Sequence, residues 1–191
     1  MRTLEDGHRL FEKTTFPADR ARYTELATLH RPSALFIGCS DARVIPEAIT
    51  SSRPGELFVI RTAGNLVPAH GTVDGITASI EYALEVLDVG EIVVCGHSAC
   101  GAMTSLALGH DLSMLPAVAG WLAAAGILPA QFDTVSDQEA VANAVHANVV
   151  NQLANLAAYP AVRARILAGQ LELTGWIHDI STGHVDIVRP S

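Results

Sequence analysis

Two short apolar runs, each ending in residues that bind metals, constrain this chain more than any other feature. The first is Leu35-Phe36-Ile37-Gly38, followed at once by Cys39-Ser40-Asp41-Ala42-Arg43. The second is Ile92-Val93-Val94-Cys95, followed by Gly96-His97-Ser98-Ala99-Cys100-Gly101. A run this short and this apolar reads as a strand buried on both faces. Each strand then delivers reactive side chains from its carboxyl end.

Around these runs the pattern alternates. Ala34–Gly38 reads as the first strand, Pro46–Ser51 as a short helix with proline near its start, and Glu56–Arg61 as the second strand. Residues 62–72 read as a loop. Thr72 is expected to cap a helix over Val73–Leu87, with Val73, Ile76, Ile80, Leu84 and Leu87 on one face. Glu91–Cys95 is the third strand, and a helix is expected from Ser98 to Leu108. Residues 109–135 carry no readable period. Ser136-Asp137-Gln138-Glu139 is a capping box opening a long helix with Val141, Val145, Val149, Leu153 and Leu156 on one face. A helix over Ala161–Ala168 stops at Gly169. Leu171–His178 and His184–Val188 form a hairpin through Ser181-Thr182-Gly183.

The expectation is an α/β fold: a mostly parallel sheet covered by helices on both faces, with an antiparallel edge strand at the C-terminus. All of residues 1–191 read as one domain. Within it, residues 1–30 form a helical arm broken at Pro17. Tyr23, Leu26 and Leu29 give the arm a stripe for its own domain or for a partner chain. In parallel sheets, sites form at strand carboxyl ends, where Cys39 and His97 lie.

Composition excludes several function classes. With 49% apolar and 17% charged residues, the chain is too apolar for disorder, and its apolar excess points to a buried interface between copies. A formal net charge of −8, with Lys13 the only lysine, argues against nucleic-acid binding. The N-terminus is polar and unlike a signal peptide. Leu115–Leu128 is apolar but falls short of the roughly 18 residues of a membrane span. Three cysteines in a chain expected to be cytoplasmic suit metal or catalytic use better than disulfides.

Cys39, His97 and Cys100 offer two thiolates and an imidazole, a donor set that suits a tetrahedral Zn²⁺. His97 and Cys100 are read as one helical turn apart. Three protein donors leave a fourth position open, the layout of a catalytic rather than a structural site. Asp41 and Arg43 lie two residues apart past the strand end, so the guanidinium can keep the carboxylate ionised and oriented. Asp41 either accepts a hydrogen bond from a zinc-bound water or takes the fourth position itself. Cys95, inside its apolar run, reads as core packing. Arg61 and Asn65 read as loop or interface organisers. His8, His110, His146 and His184 carry no spacing signal.

Taken in order, Cys39-Ser40-Asp41-Ala42-Arg43, Phe58-Val59-Ile60-Arg61-Thr62-Ala63-Gly64-Asn65 and Gly96-His97-Ser98-Ala99-Cys100-Gly101 resemble the three signature blocks of the β-class carbonic anhydrases. The resemblance is strongest over residues 30–106. It implies reversible hydration of CO₂ to bicarbonate and a proton by a zinc-bound hydroxide, with one zinc per chain held by Cys39, His97 and Cys100. It also implies an Asp41–Arg43 catalytic dyad, and a substrate pocket near Gly101 lined by Phe58, Ala63 and Tyr82, partly across a dimer interface. Homodimers or homotetramers, with the N-terminal helices wrapped on a partner, are implied as well. Two departures stand out. His30 replaces a glutamine that hydrogen-bonds substrate. Phe36 and His178 replace the tryptophan and tyrosine of a bicarbonate-regulated subgroup, which argues against that regulation.

Three rivals remain. The same site could hydrolyse carbonyl sulfide or carbon disulfide. The chain could be a non-catalytic bicarbonate-binding module, or a metal-free Cys–His hydrolase.

Overall fold

A computed structural model describes residues 2–123, 125 and 136–190. Its core is a five-stranded sheet in the order β2-β1-β3-β4-β5. The strands are β1 (Ala34–Cys39), β2 (Leu57–Thr62), β3 (Glu91–His97), β4 (Glu172–His178) and β5 (Val185–Val188). The first four pair in parallel and β5 runs antiparallel to β4. The hairpin and the parallel core are therefore as expected. β3 is two residues longer than its apolar run, because Gly96 and His97 still pair with Ile177 and His178.

The helices are α1 (Leu4–Leu10), α2 (Phe16–Ala18), α3 (Arg20–Leu26), α4 (Pro46–Thr50), α5 (Gly75–Glu85), α6 (Gly101–Ala107), α7 (Pro116–Ala123), α8 (Asp137–Ala157) and α9 (Pro160–Leu167). A π-helical stretch, Phe11–Thr15, joins α1 to α2. Pro17 lies inside helical backbone, and the break falls at Asp19, whose φ of −126° leaves the helix. Proline is accommodated there directly after the π-helical stretch, where the regular helical hydrogen-bond ladder is already interrupted. α3 ends at Leu26, so Leu29 lies outside the expected stripe.

Asp74, not Thr72, caps α5: its Oδ1 accepts from the N–H groups of Ile76 and Thr77 at 2.9 and 2.8 Å. Val73 precedes the cap and is 98% exposed, whereas Ile80, Leu84 and Leu87 are buried as expected. The capping box of α8 forms between Ser136 and Glu139.

One large apolar cluster sits between the sheet and α5, α8 and α9. It joins Leu35, Ile37, Ile92 and Val94 to Ile80, Leu84, Val149, Leu153 and Val162. α8 lies directly on β3 and β4. A Cβ added at Gly96 would fall 2.8 Å from Val149 Cγ2, and one at Gly175 would fall 2.5 Å from Val149 Cγ1. The opposite face carries a smaller apolar cluster. Among the described residues its cluster is Phe36, Val93 and Cys95, with Leu57, Val59 and Trp176 against it, and no helix contributes.

Candidate metal centre

β1 and β3 are adjacent and parallel, with Gly38 opposite Cys95. Their carboxyl ends therefore deliver Cys39 and His97 side by side. Cys100 arrives differently from the expected helical turn. His97 ends the strand, Ala99 adopts a left-handed φ of 52°, and Cys100 is the extended residue that starts α6. A left-handed conformation costs a non-glycine residue roughly 1–2 kcal/mol. Here it folds the chain back so that all three donors converge. Cys39 Sγ, Cys100 Sγ and one ring nitrogen of His97 lie within 4.8 Å of one another, and the three residues are 6%, 1% and 0% exposed.

The donor set fits a soft-to-borderline cation. His97 Nδ1 lies 3.0 Å from Ser98 O. A carbonyl only accepts, so Nδ1 carries the proton and Nε2 presents its lone pair to the sulfurs. Nε2 is buried with no hydrogen-bond partner, which is costly unless a cation uses it. The Cys100 thiol donates to Cys39 and holds its pKa well below the usual thiol value, helped by the Gly64 N–H at 3.4 Å. Cys100 is pushed up by the same contact and by burial. A divalent cation is what allows both sulfurs to be anionic at once.

Asp41 flanks the cluster, with Oδ2 3.9 Å from His97 Nε2. Arg43 grips it through Nε–H to Oδ1 at 2.9 Å and Nη2–H to Oδ2 at 2.7 Å. That pairing, with the Arg43 backbone N–H on Oδ1, holds the carboxyl far below its usual pKa. Asp41 thus rests on Arg43. Arg61 secures the segment from outside, donating to Cys39 O at 3.0 Å, Asp41 O at 2.5 Å and Val44 O at 2.8 Å. That is the loop-organising geometry expected of it. Asn65, left-handed at φ 50°, is buried in the neighbouring loop.

The expected pocket residues divide. Ala63 follows Thr62, which pairs with Cys39, and Gly101 follows Cys100, so both adjoin the cluster. Phe58 instead pairs with Leu35, four residues upstream or about 13 Å along the strand. Its ring packs at tilted angles against those of His30 and Tyr82, at centroid distances of 6.1 and 6.0 Å. Within one chain Phe58 on the outer strand β2, His30 before β1 and Tyr82 on α5 form a group of their own.

Sequence reasoning missed two groups beside the site. Trp121 Nε1 donates to Ala63 O at 2.9 Å, from a region with no readable period. Asn148, Gln152 and Asn155 on α8 bond the same loop. Their helical spacing was available as a signal, but the apolar stripe of α8 masked it.

Comparison with known proteins agrees with this geometry. A family model described as carbonic anhydrase matches residues 34–185. The chain is 47% identical to a carbonic anhydrase of Pseudomonas aeruginosa over 190 residues, covering 97% of this chain and 86% of the relative. The solved β-carbonic anhydrase CcaA superposes with a TM-score of 0.91 at 38% identity, covering 98% of this chain and 91% of that one. One of two tetrameric β-carbonic anhydrases from Sordaria macrospora superposes with a TM-score of 0.85 at 28% identity, covering 97% and 94%. With its signature blocks, its sheet topology and its Cys-His-Cys cluster all in place, the chain belongs to the β-class carbonic anhydrases.

Proposed function

We propose that the chain catalyses the reversible hydration of CO₂ to bicarbonate and a proton, with one Zn²⁺ per chain held by Cys39, His97 and Cys100. The observation that carries this reading is the convergence of three buried donors beside an Asp41 already paired to Arg43. Zinc, when bound there, would supply Lewis acidity that lowers the pKa of a coordinated water toward about 7. Asp41 accepts a hydrogen bond from the attacking oxygen and aims its lone pair at carbon. Arg43 keeps Asp41 off the open position and in the orientation to do so. Gly101 and Ala63 leave the approach to the cluster free of large side chains. An apolar wall suits a neutral linear gas better than an ion.

Phe58, Tyr82 and His30 enter this reading through a second subunit. No residue of α1 to α3 is fully buried within its own chain, and Leu4 is 96% exposed. Tyr82 on α5 and Val86 just past its end are exposed, and Tyr82 lies beside Phe58 of the outer strand β2. We assign these surfaces to contacts in a homodimer or homotetramer, with residues 1–191 acting as one domain and its arm on the partner. A tetrameric relative supports that assembly. Among the described residues no helix is long and apolar enough to cross a membrane. Three free thiols suit a reducing compartment such as the cytoplasm.

The test is stopped-flow CO₂ hydration on protein of measured zinc content. The expected result is one zinc per chain and hydration that is lost on chelation and restored by Zn²⁺. Zinc-replete protein that hydrated CO₂ no faster than buffer would overturn the reading.

A further inference from the structure

The loop from Ala63 to Pro68 runs past the metal cluster, and one side of α8 holds its backbone. Asn148 Nδ2 donates to Gly64 O at 2.8 Å. Gln152 Oε1 accepts from Val67 N–H at 2.9 Å. Asn155 Nδ2 donates to Val67 O at 3.1 Å. Just past the helix, Tyr159 Oη donates to Pro68 O at 2.8 Å. Residues spaced by four, three and four lie along one side of a helix.

The amides are also wired to one another. Gln152 Nε2 donates to Asn148 Oδ1 at 2.9 Å, and Asn155 Nδ2 to Gln152 Oε1 at 3.2 Å. Each amide therefore has one orientation that satisfies its neighbours. Asn148 and Gln152 are 0% exposed, where apolar side chains would pack without the cost of desolvating an amide. The inner end of this ladder is the Gly64 residue, whose carbonyl Asn148 holds and whose N–H points at Cys39 Sγ, 3.4 Å away.

We propose that Asn148, Gln152 and Asn155 form a positioning ladder for the metal centre: by holding the Gly64–Asn65 carbonyl they fix the backbone dihedrals of Gly64, so that its N–H, in the preceding peptide, stays on Cys39 Sγ and sets how much charge that sulfur gives to a bound cation. The inference rests on Cys39 being a metal ligand, as proposed above. A thiolate that accepts a backbone N–H donates less charge to a cation, which leaves the cation more acidic. Groups that orient ligands in this way typically change metal affinity by about 10–100-fold when removed. A ladder that served packing alone would change stability and leave the sulfur as it is.

The experiment compares Asn148→Ala and Asn155→Ala with Asn151→Ala, a control on the same helix whose side chain bonds Ala125 O instead. Amide hydrogen exchange at Gly64 is read in the metal-free chain. The sulfur-to-cobalt charge-transfer band and chelator competition are read in the cobalt-substituted protein. Asn148→Ala is expected to speed Gly64 exchange at least ten-fold over the control, move the band to lower energy as the sulfur gives more charge and, because the loosened loop no longer holds Cys39 in place, weaken cobalt binding about 10–100-fold. Asn155→Ala, at the outer end, is expected to do the same to a lesser degree. Gly64 exchange and a cobalt band that match the control at equal urea stability would overturn the proposal. If Asn148→Ala does not fold, the half-buried Asn155→Ala carries the same two outcomes. Because the exchange measurement needs no metal, it judges the ladder separately. Wild-type protein that bound no cobalt would overturn the ligand assignment instead.

Discussion

The side chains of Asp41 and Arg43 are joined by two hydrogen bonds, Nε–H to Oδ1 at 2.9 Å and Nη2–H to Oδ2 at 2.7 Å. The same Nη2 also donates to Ala99 O at 3.0 Å. One guanidinium thus ties the end of β1 to the strained turn after β3. Asp41→Asn is expected to lower kcat by at least about 100-fold, the lower range for a positioned proton acceptor, while zinc content stays at one per chain. Lysine reproduces neither the fork nor the reach to Ala99, so Arg43→Lys is expected to lower kcat about ten-fold, equivalent to about 1.4 kcal/mol of barrier. Stopped-flow hydration and metal analysis check both variants.

The sign of the acid dependence follows from the same pair. The folded pKa of Asp41 is depressed below its ordinary 3.8. The stabilisation is therefore complete above that ordinary value and fades as pH falls below it. Asp41→Asn is expected to flatten the loss of stability below about pH 4, read as urea midpoints across pH.

Alkaline behaviour has the opposite sign. Burial pushes the Cys95 thiol from 9.0 to about 12, and burial, with Asp74 nearby, pushes Tyr159 from 10.0 to about 12. Both groups bind their proton more tightly when folded. Stability is then full below pH 9 and falls between about 9 and 12, by about 1.4 kcal/mol per pH unit for each fully titrating group. Cys95→Ala is expected to remove part of that slope, measured by denaturant titration at pH 8 and pH 10.5. An unchanged slope would show that Cys95 does not titrate on unfolding in this range.

Gly175 and Val149 offer a packing test away from the chemistry. Gly175→Ala places a methyl 2.5 Å from Val149 Cγ1 and 2.9 Å from Leu153 Cδ1, an overpacking expected to cost about 1–3 kcal/mol. Val149→Ala makes a cavity on its own but relieves that clash. The double variant is expected to be more stable than the two single losses add up to. Additive losses would mean that α8 shifts away from β4 rather than resisting.

Deleting residues 2–29 removes a segment whose helices have no fully buried residue within their own chain. The expected outcome is a smaller species by sedimentation velocity, with the β-sheet signal of the body retained. A truncated chain that kept its full oligomeric mass would remove the arm from the interface.

The five strands and their carboxyl-end donors were legible because short apolar runs bounded by glycine leave few alternatives. Cys39, His97 and Cys100 stood out because each follows such a run closely. Other elements were not legible for identifiable reasons. Thr72 and Asp74 are both good capping residues, and only the observed fold shows that Asp74 reaches two N–H groups while Val73 stays in solvent. The turn at Ala99 looked like the start of a helix because nothing local forces an alanine into the left-handed region. Contacts made by Arg43 and the body hold it there.

Sequence alone determined the parallel core, the terminal hairpin, the donor set and the Asp41–Arg43 pairing, because local spacing and hydrophobic period control them. Tertiary structure alone decided how the donors converge and what holds the 63–68 loop. Those depend on contacts between residues some 60 to 90 positions apart, such as Arg43 with Ala99 and Tyr159 with Pro68. Asn148 and Gln152 are ordinary helix residues until the sheet brings Gly64 and Val67 against them. Burial then turns two polar side chains into structural necessities, and no local pattern announces that burial.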